Sequence, residues 1–341
     1  MPIDYQKKSG QEEELRFTDQ GPKLNTSIRI HRMRKCALLY NPLSGRRWKR
    51  RVADVEAVAR VLRGAGVEVS TAASRSFEEA ITEARRAIES GCDTVFACGG
   101  DGTIHAVIQE LAATTIQLAV IPFGTANALA HDLRLPINSL KAAQAALYAQ
   151  PQRIALGRIE YLNFNRIIAC RYFTVAAGVG VDAHLFYALT AGLKEKLGMT
   201  AYYLKAWHLW WTYHMQRFQV EFNDQETGEQ RALDPTQLLA VRIRNFGGLL
   251  RELAAGADLS RNDLRVVLCK TENRFIYLSY VFRGLIGGKW QIPEVELAYT
   301  RSLSCEANSG RIYVEADGEL LGTPPVRISI VPDALTILVP R

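Results

Sequence analysis

The stretch Val95–Leu111, VFACGGDGTIHAVIQEL, limits the possible folds more than any other part of the chain. An apolar strand runs into Gly99-Gly100-Asp101-Gly102-Thr103, and a helix begins at once. Glycines let a backbone approach a ligand closely. A helix start offers unpaired N–H groups and the positive end of the helix dipole to a phosphate. A carboxylate there repels phosphate unless a metal ion or a donor hydroxyl lies between them, so Asp101 suggests magnesium-nucleotide chemistry or proton abstraction. Taken alone, the stretch equally suits a tight strand-to-helix turn with an Asp cap.

The flanking sequence repeats the arrangement. Apolar strands at Cys36–Tyr40, Val67–Thr71, Thr94–Cys98 and Gln117–Pro122 alternate with helices at about 47–62, 77–90 and 104–112. That rhythm predicts a parallel sheet with helices packed on it. The turn Asn41-Pro42-Leu43-Ser44-Gly45 follows the first strand, and Phe123-Gly124-Thr125-Ala126-Asn127 follows the fourth. Parallel strands carry such turns to one sheet edge, where open α/β folds bind ligands. There is no GxxxxGK[ST] pattern, which excludes a P-loop ATPase. Beyond a helix at Ser139–Tyr148, short strand-like runs with turn signals predict a β-sandwich, interrupted by a helical insertion at about 183–214. The division expected is a polar extension over 1–33, a nucleotide-binding α/β domain over 34–137 and a β-sandwich domain over 138–341, whose C-terminal tail can return to the first.

Composition narrows the partners. The formal net charge of +7 suits an anionic partner without choosing among nucleotide, membrane and nucleic acid. One basic run, Arg46–Arg51, and no aromatic stacking platform argue against nucleic acid. Six scattered cysteines form no CxxC pair and read as buried thiols in a reducing compartment. With no secretory signal and no run of about 18 apolar residues, the expectation is a cytoplasmic protein, with peripheral contact to a membrane allowed.

In order along the chain, NPLSG at 41–45, GGDGTIH at 99–105, PFGTANALAHDLRLP at 122–136, AAGVGVDAHL at 176–185, FGGLL at 246–250 and VEADGELLGTPP at 314–325 resemble the diacylglycerol kinase catalytic-domain family. That family includes bacterial lipid kinases and the sphingosine and ceramide kinases, and the NAD kinases share GGDGT. The resemblance covers about 34–340 and implies a Rossmann-like nucleotide domain, a β-sandwich lipid domain and ATP between them. It further implies that Gly99, Gly100, Asp101, Gly102 and Thr103 cradle the phosphates, that Asn41, Ser44, Gly45, Thr125 and Asn127 position the nucleotide, and that Ser74 or Thr71 contacts it after the second strand. Glu319 of Asp317-Gly318-Glu319 would accept the proton of a lipid hydroxyl, with Asp101 as its catalytic companion, and Asp182 would orient the lipid head group. ATP and Mg2+ are the implied cofactors. Diacylglycerol is the leading acceptor, a sphingoid base or ceramide its rival within the class, and NAD the soluble-substrate rival.

Two features depart from that pattern, and two more need separate readings. His105 lies where the family often carries Asn. The stretch Ala257–Leu264 has Ser260 and Arg261 where the family carries paired acids that support a structural magnesium ion, leaving Asp258 and Asp263 as the nearby acids and no residue assigned to a metal. Tyr203, Trp207, Trp210 and Trp211 fall at helical spacing, which suits packing or an interfacial anchor. GVGVDA at 178–183 mimics a dinucleotide fingerprint, but no strand with a ribose-binding acid follows.

Overall fold

The glycine turns punctuate an α/β half whose inner strands are buried and mostly apolar, as central parallel strands must be, while the edge strand Glu68–Ala73 is mostly exposed. The computed structural model describes residues 33–45, 48–180, 215–246, 254–286, 290–307 and 312–340. Strands β1 (Lys35–Tyr40), β2 (Glu68–Ala73), β3 (Thr94–Gly99) and β4 (Gln117–Pro122) form a parallel sheet ordered β2-β1-β3-β4. Helices α1 (Arg51–Gly64), α2 (Phe77–Glu89), α3 (Asp101–Leu111), α4 (Ala128–Asp132) and α5 (Ser139–Tyr148) follow in turn. Side chains from α2 and α3 pack on one face of the sheet, and those from α1 and α5 on the other.

Three devices set the local boundaries. Ser76 caps α2 by accepting a bond from the Glu79 N–H at 3.1 Å, while Glu79 accepts from the Arg75 N–H at 2.6 Å. Asn41 closes its own turn, accepting from the Leu43 N–H at 2.8 Å. Gly45 holds φ +67°, and a side chain there would collide with the Phe123 carbonyl oxygen, so the first and fourth turns pack directly together. Arg51 links them too, donating to the carbonyls of Ser44 at 2.7 Å and Phe123 at 3.5 Å with its guanidinium over the Phe123 ring. The end of the basic run is therefore folded inward.

The second half is a β-sandwich, as its short alternating strands imply. It comprises β5 (Gln150–Asn163), β6 (Ile168–Phe173), β7 (Ala176–Gly180), β8 (Gln219–Asn223), β9 (Gln230–Leu233), β10 (Gln237–Val241), β11 (Leu264–Cys269), β12 (Val295–Thr300), β13 (Ser302–Glu306), β14 (Val314–Ala316) and β15 (Glu319–Val339). Among the described residues a helix, α6 (Arg274–Ile286), covers the outer face of β7, β10 and β11. The apolar run from Ile168 to Gly180 is split into β6 and β7, because the amides of Thr174, Val175 and Ala176 bind Asp317. β9, α6 and β15 were not expected. β15 pairs with β5 along almost its whole length and lies parallel to β4 at Thr336 and Ile337. Its register shifts fall at Thr323/Arg327 and Val331/Leu335, beside Pro324-Pro325 and Pro332, which lack ladder donors. The insertion at 183–214, its Tyr/Trp positions, Asp182 and residues 247–250 of FGGLL lie outside the described residues.

Candidate active site

The C-terminal ends of β1, β2 and β3 open onto one cavity of about 210 Å3. Asn41, Ser44, Ser74, Gly100, Gly102, Thr103 and Glu319 line it. That volume is below the roughly 300–1,000 Å3 of a whole-ligand pocket, and suits the phosphate end of a nucleotide and an incoming hydroxyl. Two helix N-termini converge on it: α2 through Ser76 and Phe77, α3 through Gly102 and Thr103. Each brings the positive end of a helix dipole to the cavity, and helix starts of this kind favour an anion. Ser74 is the buried residue after the second strand that reaches the cavity, whereas Thr71 is exposed on the edge strand. Arg75, Ser76, Phe77 and Ala80 also line the wall, and the Ser76-x-x-Glu79 cap was the signal that could have located them.

Other expected residues stand beside the cavity. Gly99 leaves room for the Thr103 side chain, which packs where a Cβ would be. Asp101 turns away, its Oδ1 accepting from the Ala128 N–H at 2.8 Å, and thereby ties the GGDGT turn to the start of α4. Burial pushes the Asp101 carboxyl above the usual carboxylate range, against the lowering effect of its bonds to the Ala128 and Asn127 amides, and Asp317 adds a second upward push. Asn127, in the left-handed region at φ 49°, staples its own turn with bonds to Gly124 N–H (2.8 Å) and Gly124 carbonyl (2.9 Å). With Thr125 and Arg51 it lines a separate cavity of about 490 Å3.

These contacts lead to two expected outcomes. Asp101→Ala, which orphans the Ala128 amide, should cost about 1–3 kcal/mol of stability. Asp101→Asn keeps an acceptor and removes a poorly solvated charge, so it should unfold at or above the wild-type temperature; thermal denaturation of both variants checks this. A Cβ on Gly124 would lie 2.5 Å from the Gly100 Cα. Gly124→Ala should therefore shift the glycine turn and weaken nucleotide binding by about tenfold or more, since misplacement on this scale is costly; calorimetric titration measures it.

Glu319 reaches the cavity through Asp317. The Asp317 carboxylate sits in a nest of donors: Thr174 N–H at 2.9 Å, Thr174 Oγ1 at 3.2 Å, Val175 N–H at 2.9 Å and Ala176 N–H at 3.1 Å. His105 Nδ1, from the second turn of α3, lies 3.2 Å from Asp317 Oδ2 and, facing a carboxylate, is the donor. His105 is fully buried beside the Phe77 ring, and its Nε2 has no partner among the described residues. The residue that departs from the family pattern thus joins the glycine-turn helix to the Asp-Gly-Glu turn. Gly318, at φ +81°, completes that turn and brings Glu319 Oε1 to 3.4 Å from where a Gly102 Cβ would stand.

Around the stretch 257–264, arginines hold both the nearby acids and the main-chain carbonyls. Arg242, one residue past the end of β10, is 0% exposed, and its guanidinium donates to four main-chain carbonyls: Arg261 at 2.8 Å, Asp263 at 2.6 Å, Leu259 at 3.0 Å and Ala155 at 3.1 Å. Burial lowers the Arg242 pKa to about 10, with Asp263 and Asp258 opposing that effect. Asp263 is held by Arg261 through two bonds of 2.7 and 2.6 Å, and Asp258 by Arg244 at 2.5 Å. With both acids paired and a cation already on the carbonyls, these residues do not fit a metal ion. No group of three His, Cys, Asp or Glu side chains able to hold one occurs among the described residues.

Residues 35–159 match the diacylglycerol kinase catalytic domain, and residues 174–339 match the YegS C-terminal NAD kinase beta sandwich-like domain. A Staphylococcus saprophyticus diacylglycerol kinase is 32% identical over 86% of this chain and 92% of its own length. The chain belongs to the diacylglycerol kinase family. A Bacillus subtilis diacylglycerol kinase is 29% identical over the same shares of the two chains. The fold of this family member also matches the crystal structure of a Bacillus anthracis diacylglycerol kinase, with a TM-score of 0.63 at 17% identity, covering 91% of this chain and 97% of the other. A diacylglycerol kinase-type domain uses a nucleotide, and the cavity's two helix N-termini agree with that. No helix among the described residues is long and apolar enough to cross a membrane.

Proposed function

We propose that this protein is an ATP-dependent lipid kinase that transfers the γ-phosphoryl group of ATP to the hydroxyl of diacylglycerol or a similar lipid alcohol. The observation that carries the reading is the position of Glu319 beside the glycine turn, in one cavity with Asn41, Ser44, Ser74 and Thr103. Phosphoryl transfer needs little covalent chemistry from a protein; it needs the phosphates held, their charge offset and the nucleophile aimed. The amides of the α2 and α3 N-termini hold the phosphate end. Magnesium arriving on the triphosphate would offset its charge. Glu319 takes the proton of the alcohol as the oxygen attacks, with Asp317 and His105 setting the position of its turn.

The names of the relatives support a kinase, and the lipid alcohol as acceptor is our inference. Incubation with labelled ATP across diacylglycerol, sphingoid base, ceramide and NAD tests it. Labelled phosphatidic acid is the expected product; labelled NADP, or no transfer to any acceptor, counts against the reading.

A further inference from the structure

One surface has no part in the phosphate cavity. α6 turns Tyr277 and Tyr280 inward, into a cluster with Ala176, Val241 and Cys269. Phe275, Leu278 and Phe282 stand on the opposite side, where spacings of three and four residues align them in one stripe. They are 66%, 40% and 53% exposed, and Trp290, a few residues on, is 41% exposed. A helix apolar on both sides belongs in a core or against another apolar phase, and clustered exposed apolar groups mark interaction sites.

The charge of the helix narrows the choice of partner. α6 contains no Asp or Glu and carries Arg274 and Arg283. Arg283 also donates to the Trp290 carbonyl at 3.3 Å, holding that tryptophan's backbone to the helix. Aromatic and aliphatic groups beside arginines are the composition of helices that lie in the interface of an anionic bilayer. A second copy of the chain would set two helices without acidic residues, on proteins of net charge +7, against each other, whereas an anionic surface attracts such a helix. The inner side of α6 packs on Ala176, whose amide binds Asp317, so the stripe lies one layer from the turn that carries Glu319.

We propose that the outer face of α6, with Trp290, is the surface that seats this protein on an anionic lipid bilayer. The proposal deepens the lipid-kinase reading and takes its purpose from it, but its test does not depend on turnover. Sedimentation of the full chain, without nucleotide, is measured with phosphatidylcholine vesicles and with mixed phosphatidylcholine–phosphatidylglycerol vesicles. The wild type should favour the mixed vesicles by about tenfold or more. The triple variant F275S/L278S/F282S should lose about tenfold or more of that binding while its unfolding temperature stays near the wild-type value. The milder Trp290→Phe should remove part of the fluorescence blue shift on vesicle addition, and it serves if the triple variant fails to fold.

Vesicle binding equal in wild type and triple variant overturns the proposal. A dimer that the triple variant dissociates, with binding unchanged, assigns the face to a second copy. A large fall in unfolding temperature, with binding unchanged, assigns it to another segment of this chain; both outcomes overturn the bilayer assignment. Transfer of labelled phosphate to a short-chain alcohol dispersed as monomers is followed in parallel. If no transfer occurs but vesicle binding depends on the stripe, the kinase reading fails and the docking face stands.

Discussion

Glu319→Gln should reduce phosphate transfer to a lipid alcohol by about 10²–10⁴-fold, the usual worth of a positioned general base. The amide is nearly the same size and stands in the same place beside Gly102, but it cannot take the proton. Nucleotide affinity should change little, because the groups proposed to hold the phosphates are the helix N-termini around Ser76, Gly102 and Thr103. The expected signature is thus a fall in kcat with an almost constant dissociation constant for ATP. Glu319→Asp, one methylene shorter, should retain part of the rate. If Glu319→Gln turns over at the wild-type rate, the proton has another acceptor and the mechanism proposed above is wrong.

The second large effect is on stability. Arg242→Met replaces a buried guanidinium with a thioether of similar length and leaves the carbonyls of Ala155, Leu259, Arg261 and Asp263 without their shared donor. Removing one member of a buried charged network typically costs about 3–5 kcal/mol, which in a chain of this size lowers the unfolding temperature by on the order of 10 °C. Arg242→Lys, a point charge with three donors, should recover part of the loss. Wild-type protein without nucleotide should unfold at the same temperature in EDTA as in excess magnesium, since Arg242 already serves the carbonyls. A drop in that temperature on chelation would show that a metal ion holds this loop after all.

Much of the α/β half was legible because turn chemistry and strand period agree there. β4 and α5 begin and end at the residues expected, Gln117–Pro122 and Ser139–Tyr148. The glycine, serine and asparagine turns were visible because few residue types satisfy such backbone geometry. Three elements were hidden for separate reasons. β15 contains Pro324, Pro325 and Pro332, and each reads as a strand terminator until the bulges that accommodate it are seen. α6, RFIYLSYVFRGLI, is apolar around most of its circumference and so lacks a helical period. β9 is only four residues long and carries two polar side chains.

In and around the candidate site the same contrast holds. Asn41, Ser44 and Ser74 follow strand ends and could be placed by counting strands. The roles of Arg242 and His105 could not, because each depends on partners far along the chain: Ala155 for the first, Asp317 for the second. Asp101 was legible as a residue of the turn, but its hydrogen bond to Ala128 follows only from the packing of two turns against each other.

The long strand β15 also bears on how this protein is made. As ribosomes release the chain, β1 to β4 and their helices can assemble early, yet the outer edge of β4 waits for Thr336 and Ile337, more than two hundred residues later. Such distant pairings fold slowly, and an unpaired apolar edge invites other nascent chains. Cutting the gene before codon 336 should therefore yield inclusion bodies rather than a soluble amino-terminal half, and the last strand can be regarded as the clasp that makes the newly synthesised protein safe.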